Sequence, residues 1–349
     1  MTSTVINAFN EFMRDIVNLD ASQVTTARSS RDWLLDQIQR FPSNDSTSPM
    51  LKSRYSGDHI AFGSFARKTK TRPLDDIDLM VCMDAEFSDS LTYCEYSHNN
   101  VEIHISNNYH GRYENYRHTT SGNEYKLSSI RIVNKFVNNL SSVPQYKKAE
   151  TRRNGEAAIL NLSSYDWSFD IVPCIKTAND IYGKNYYLIP NGSGHWKKTD
   201  PRIDRDRLQR INQACNGNVL QVIRILKYWN QRPYKAGIPS YLLETMISNY
   251  YENEIRYNRK DAVSSYVDIE IVKIFEYLKN NIFYNVNDPK GIAGNINDIG
   301  YTNQNNLYQR LTVDFDKAKL ARTYEGESKQ KECINKWREV FGDLFPQFT

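Results

Sequence analysis

Apolar residues recur at helical spacing over 6–17 and 27–41 of this chain, the pattern of helices that bury one face. The second stretch predicts a long spine helix joining two lobes. From 59 to 180 the pattern shortens to brief apolar runs that read as a mixed sheet, with strands over 59–62, 79–83, 157–163 and 169–173. A polar stretch rich in Tyr and His, 88–127, interrupts the sheet and reads as exposed strands or loops. His98, His104, His110 and His118 fall within it without metal-ligand spacing. A helix over 124–140 is expected to lie on the sheet. After Pro201 helical spacing returns over 208–231, 240–251, 262–282, 308–322 and 328–341. The Ser- and Asn-rich stretch 42–49 reads as a loop, as does the Asn- and Gly-rich 286–305, which could border a cleft. The expected fold class is α+β in two parts: a sheet-bearing core over 1–200 and a helical lobe over 201–349.

Candidate chemistry concentrates at the first strands of the sheet. Asp76 and Asp78 open an apolar strand, and side chains two apart on a strand point the same way, so both carboxylates share one face. Two hard oxygen donors on one face suit Mg²⁺, which is commonly shared with substrate phosphates. A dozen residues earlier, Gly63-Ser64 ends the strand 59–62 and opens an expected helix over 64–70. Glycine admits a close ligand, and a helix start offers N–H groups to an anionic phosphate. Asp170 stands alone in the apolar run Phe169-Asp170-Ile171-Val172-Pro173 and needs a partner there, because an unpaired buried carboxylate is costly. Placed beside Asp76 and Asp78, it completes a three-carboxylate site for two divalent ions. Such a pair would clamp the attacking and leaving oxygens of an in-line displacement.

Bulk properties narrow the partners. The net charge of +4 over 349 residues is mild, so direct nucleic-acid binding is not expected. The five cysteines, Cys82, Cys94, Cys174, Cys215 and Cys333, are scattered and odd in number. They suggest neither a disulfide frame nor a zinc site. No apolar run reaches the roughly 18 residues of a membrane crossing, and no signal peptide is evident. A cytoplasmic protein is expected.

Several motifs together carry a family resemblance along the whole chain. Beside Gly63-Ser64, Asp76-x-Asp78 and Phe169–Pro173 stand Tyr187-Leu188-Ile189-Pro190 and His195-Trp196-Lys197-Lys198-Thr199-Asp200-Pro201. Leu226-Lys227-Tyr228-Trp229-Asn230, Ser240-Tyr241-Leu242-Leu243-Glu244 and the closing Trp337…Phe341-Gly342-Asp343-Leu344-Phe345-Pro346 follow. The chain resembles the bacterial cGAS/DncV-like nucleotidyltransferases of the polymerase-beta-like superfamily, cyclic oligonucleotide synthases of CBASS anti-phage defence.

That resemblance implies a bilobal fold and an enzyme that condenses nucleoside triphosphates into a cyclic di- or trinucleotide. The substrates would be ATP, with GTP or a pyrimidine nucleotide as further candidates. Two Mg²⁺ ions, replaceable by Mn²⁺, are implied on Asp76, Asp78 and Asp170. Gly63, Ser64, Lys227 and Ser240 would contact phosphates and Tyr241 would stack on a base. A cyclic-nucleotide-activated effector and, in some members, ancillary CBASS proteins are the implied partners. The zinc insertion of the animal DNA sensor is absent. The stretch Arg67-Lys68-Thr69-Lys70 keeps the family's threonine but puts Lys68 where a second glycine often stands, so the loop is expected to differ in shape or charge. Two other readings stay open: a linear nucleotidyltransferase of the oligoadenylate or RNA-tailing kind, and a catalytically silent nucleotide-binding protein.

Overall fold

A computed structural model of the chain describes residues 3–85, 87, 90–119, 125–232, 236–259 and 263–349. Among these, helices run over α1 (Val5–Phe12), α2 (Ala21–Gln39), α3 (Phe41–Asn44), α4 (Gly63–Ala66), α5 (Ser129–Ser141) and α6 (Pro201–Ala214). They continue as α7 (Val219–Asn230), α8 (Ser240–Arg256), α9 (Val267–Asn281), α10 (Tyr301–Gly326) and α11 (Gln330–Phe341). The strands are β1 (Ile60–Phe62), β2 (Asp76–Cys82), β3 (Leu91–Ser97), β4 (Asn100–Ile105), β5 (Arg117–Thr119) and β6 (Tyr125–Leu127). The rest are β7 (Glu150–Asn154), β8 (Ala157–Asn161), β9 (Ser168–Lys176), β10 (Tyr187–Pro190) and β11 (Trp196–Thr199).

The chain divides into two compact units, each assembled from separated stretches. One takes Ser22–Ala66 and Leu74–Asp204, and the other takes Met1–Ala21, Arg67–Pro73 and Arg205–Thr349. The fold is therefore a mixed sheet followed by a helical C-terminal region, as the periodicity anticipates.

In the first unit the strands run in the order β1-β2-β9-β10-β11-β4-β6-β5, with β3 on β4 and β7-β8 on β9. β2 and β9 are parallel, and their other partners are antiparallel. Alternation sends Ile77, Leu79, Phe169 and Ile171 to one face, where all four are buried. The amphipathic α5 packs on β8, β9 and β10 with Ile132, Val133, Phe136 and Leu140 buried. The opposite face holds a second apolar cluster built from Ile60, Met80, Cys82, Ile159, Val172 and Cys174, with no α5 residue in it. Pro173, which has no N–H to give a ladder, stands opposite Val81 of β2 and is tolerated mid-strand because it falls between partners on the other side. β8 pairs as far as Ile171 and β10 begins at Ile175.

The helical unit is held by one continuous core. Phe9 of α1 packs edge-on against Trp337 and Phe345, each with ring centroids 5.0 Å apart. The Trp229 indole donates to the Asp314 carboxylate at 2.8 Å while the Arg310 guanidinium lies 3.8 Å over its ring. Asn230 closes the 231–238 connection by exchanging hydrogen bonds with both the N–H and C=O of Ile238. The tryptophan and asparagine of the Leu226–Asn230 motif are thus structural.

Several expected boundaries move. The stretch 208–231 is two helices, because Asn216 (φ 55°) and Gly217 (φ 80°) take left-handed backbone that ends α6. α10 begins at Tyr301 rather than at 308, shortening the loop before it. The helix expected over 124–140 begins at Ser129, capped by the Ser128 hydroxyl, while Tyr125–Leu127 form a strand. Residue 124, and residue 262 at the start of the expected 262–282 helix, lie outside the described residues. No helix among the described residues is long and apolar enough to cross a membrane.

Candidate functional site

Asp76 and Asp78 begin β2, and both are half-buried. The parallel register sets Asp78 directly opposite Asp170 on β9 and Asp76 opposite Ser168. In-register residues of neighbouring strands share a face, so the three carboxylates occupy one side and one end of the sheet, above the cluster around Met80 and Val172. Ile159 of β8 flanks Asp170, and Phe62 of β1 flanks Asp78.

Gly63 follows β1 with φ 69°, a backbone state that favours glycine. A Cβ on Gly63 would stand 1.7 Å from the Asp78 Oδ2 atom, so the carboxylate rests against the bare backbone of this turn. The helix expected over 64–70 is a single turn, α4, ending at Ala66. The macrodipole of a longer helix is therefore missing, and what the Gly63-Ser64 turn can offer an anion is local N–H and hydroxyl groups.

The donors, three carboxylates at one end of the sheet, are the hard oxygens a divalent cation of the Mg²⁺ type takes. Each already has polar or electrostatic partners, and among the described residues no three acidic, His or Cys side chains are drawn into one metal-binding cluster. Donor chemistry and backbone placement fit a divalent cation; the side chains are not gathered around one.

Lys227, Ser240 and Tyr241 belong to the helical unit, apart in the chain from the carboxylates. Lys227 is not a solvated helix lysine. It is buried, and its Nζ donates to Glu244 Oε1 at 2.7 Å. Glu244 also accepts from Arg67 Nε and from the Thr69 hydroxyl, each at 3.0 Å. Burial alone would push the Glu244 carboxyl up, but the Arg67 and Lys227 charges overturn this and hold it below its usual range. Ser240 is the first residue of α8 and is exposed. The half-buried Tyr241 donates its hydroxyl to Asp288 Oδ1 at 3.0 Å. Glu244, Arg67 and Asp288 were not assigned roles from sequence. The Lys227–Glu244 spacing alone does not reveal a contact between two helices.

Lys68 takes left-handed backbone, the state glycine adopts most freely, with φ 61°, and its carbonyl accepts from Arg224 at 2.8 Å. Lys68→Gly is accordingly expected to raise stability by about 0.5–1 kcal/mol, strain relief of roughly 1–2 less the added entropy of the unfolded chain. Chemical denaturation measures it, and a lowered midpoint would show that Lys68 is not strained.

The Thr199-Asp200-Pro201 motif is structural at its acid. Asp200 accepts from the backbone N–H of Arg202 at 3.2 Å and from its guanidinium at 2.8 Å, capping α6, which starts at Pro201.

No protein-family model matches the chain. It is 42% identical over 347 residues to a probable cyclic nucleotide synthase of Bacillus cereus (strain VD146), covering 99% of each. A cyclic AMP-AMP-AMP synthase of an Acinetobacter species is 26% identical over 195 residues, about half of either chain. Among solved structures, CdnC of E. coli MS115-1 with ATP superposes with a TM-score of 0.65 at 16% identity, covering 97% of this chain and 98% of that one. Escherichia coli DncV in its 3'-deoxy GTP-bound form gives 0.62 at 13% identity, with 97% of each covered. Likenesses at such identities speak to the fold, which is the polymerase-beta-like one.

Proposed function

This chain belongs to the bacterial cyclic nucleotide synthases, the cGAS/DncV-like nucleotidyltransferases, and we propose that it condenses nucleoside triphosphates into a cyclic di- or trinucleotide with release of pyrophosphate. The observation that most supports this reading is the parallel register that sets Asp170 opposite Asp78, with Asp76 on the same face. These three carboxylates would hold Mg²⁺ or Mn²⁺, which when bound supplies Lewis-acid polarisation of phosphate oxygens and offsets the charge of the leaving group. Asp170 would accept or orient the proton of the attacking ribose hydroxyl. Gly63 and Ser64 would hold the triphosphate by backbone and hydroxyl donors. Lys227 and Ser240 would add a charge and a hydrogen bond to phosphate. Tyr241 would stack on a base, an interaction worth roughly 1–3 kcal/mol.

ATP, with GTP or a pyrimidine nucleotide beside it, is the substrate class under this reading. The product would act as a second messenger on a cyclic-nucleotide-activated effector in anti-phage defence, in the cytoplasm.

Incubation with all four nucleoside triphosphates, followed by phosphatase digestion and mass spectrometry, tests the proposal. The expected product resists phosphatase, appears with pyrophosphate, is lost on chelation and returns with Mg²⁺ or Mn²⁺. Phosphatase-sensitive chains would replace cyclisation by linear transfer. Turnover unaffected by chelation would remove the metal assignment.

A further inference from the structure

The loop between α9 and α10 has no role in the reading above, yet it is folded around one buried acid. Asp288 Oδ2 accepts from the backbone N–H groups of Ala293 at 3.0 Å and Ile292 at 3.3 Å. Its Oδ1 accepts from Lys290 N–H at 3.2 Å and lies 3.1 Å from the Lys290 ammonium. Asn297 and the bridge between Asn287 and Asn295 fasten the loop base, with Asn297 donating to the carbonyls of Ile282 and Tyr284 at 2.8 Å each. Burial alone would push the Asp288 carboxyl up; the Ala293 N–H and the Lys290 charge reverse this and hold it below its usual range.

The loop's bonds to itself do not account for two of its contacts. The Tyr241 hydroxyl donates to Asp288 at 3.0 Å and accepts from Lys290, whose ammonium stands 4.1 Å from the ring centroid. Both hydrogen-bonding capacities of the phenol that this loop can reach are thus satisfied by one anion and one cation. The ring is gripped at its edge and bordered on its face. A stacking platform fixed in advance loses less side-chain freedom when a base arrives.

We propose that the loop 286–297 is the positioning element of the nucleobase site, with Asp288 and Lys290 fixing the orientation of Tyr241 for stacking. The proposal rests on the reading of Tyr241 as the stacking residue. Asp288 and Lys290 are positioning residues; Tyr241 makes the contact. The loop sets nucleotide affinity without itself entering the chemical step.

The test is a steady-state and equilibrium-binding comparison of wild type, Lys290→Met, Tyr241→Phe, the double variant and Tyr241→Ala, with ATP as probe. Lys290→Met and Tyr241→Phe are each expected to raise KM and the dissociation constant about three- to tenfold, with kcat within about twofold. The double variant is expected to match the worse single one, since both remove the same restraint. Multiplicative effects in the double variant, or unchanged affinity in Lys290→Met, would overturn the proposal. Tyr241→Ala separates the two claims. Unchanged affinity there removes the stacking role and the loop's function with it. Weakened affinity there with a silent Lys290→Met removes only the loop's function.

Discussion

Asp78→Asn is expected to lower turnover at least about a thousandfold while leaving the thermal transition within a few degrees of wild type. The substitution keeps the shape of the side chain and removes its charge. Asp78 lies at the half-buried start of β2, while the strand's packing comes from Ile77, Leu79 and the residues beyond. Strand pairing with Phe62 and Asp170 uses backbone groups that Asn retains. Under the proposed function, the loss is one of the anionic donors that would bind the cations, whose charge stabilisation is worth several kcal/mol. At 1.36 kcal/mol per tenfold, that is about three decades of rate. Folded protein with activity within about tenfold of wild type would remove Asp78 from the site. Asp76→Asn and Asp170→Asn provide parallel measurements on the same face.

Gly63→Ala is expected to cost at least about a hundredfold in turnover and about 2 kcal/mol or more in stability. Two effects add here. The φ of 69° is unfavourable for any L side chain by roughly 1–2 kcal/mol. The new Cβ would also meet the Asp78 carboxylate, 1.7 Å from Oδ2 and 2.6 Å from Cγ. Such a contact forces either the turn or the carboxylate to move, and overpacking of this kind costs about 1–3 kcal/mol more. The affected atom belongs to the residue on which the proposed chemistry depends, so activity should fall further than stability alone explains. A melt paired with a turnover assay separates the two. Full activity with a lowered melting temperature would show that the Asp78 carboxylate can leave its place against Gly63 without consequence.

Much of this was legible in the residues. Asp76 and Asp78 could be put on one face because a strand's side-chain period is fixed by backbone geometry. The lone acid of Phe169–Pro173 marked a second strand, since apolar residues surround a charge that must find a partner. Boundaries failed where local backbone chemistry overrode periodicity. Asn216 and Gly217 broke a helix that apolar spacing carried straight through. The glycine-like turn at Lys68 was hidden, because lysine seldom adopts positive φ.

By itself, the sequence determined the fold class, the helical C-terminal half, the family and the two strands that bear the acids. Those depend on hydrophobic periodicity and on short motifs, which are local. Only the tertiary structure decided that Asp170 stands opposite Asp78, that Glu244 gathers Arg67, Thr69 and Lys227, and that Asp288 and Lys290 grip Tyr241. Each is a meeting of residues far apart in the chain. Which buried charge pairs with which is fixed by strand register and helix packing, where the desolvation penalty is offset only if opposite charges meet in good geometry.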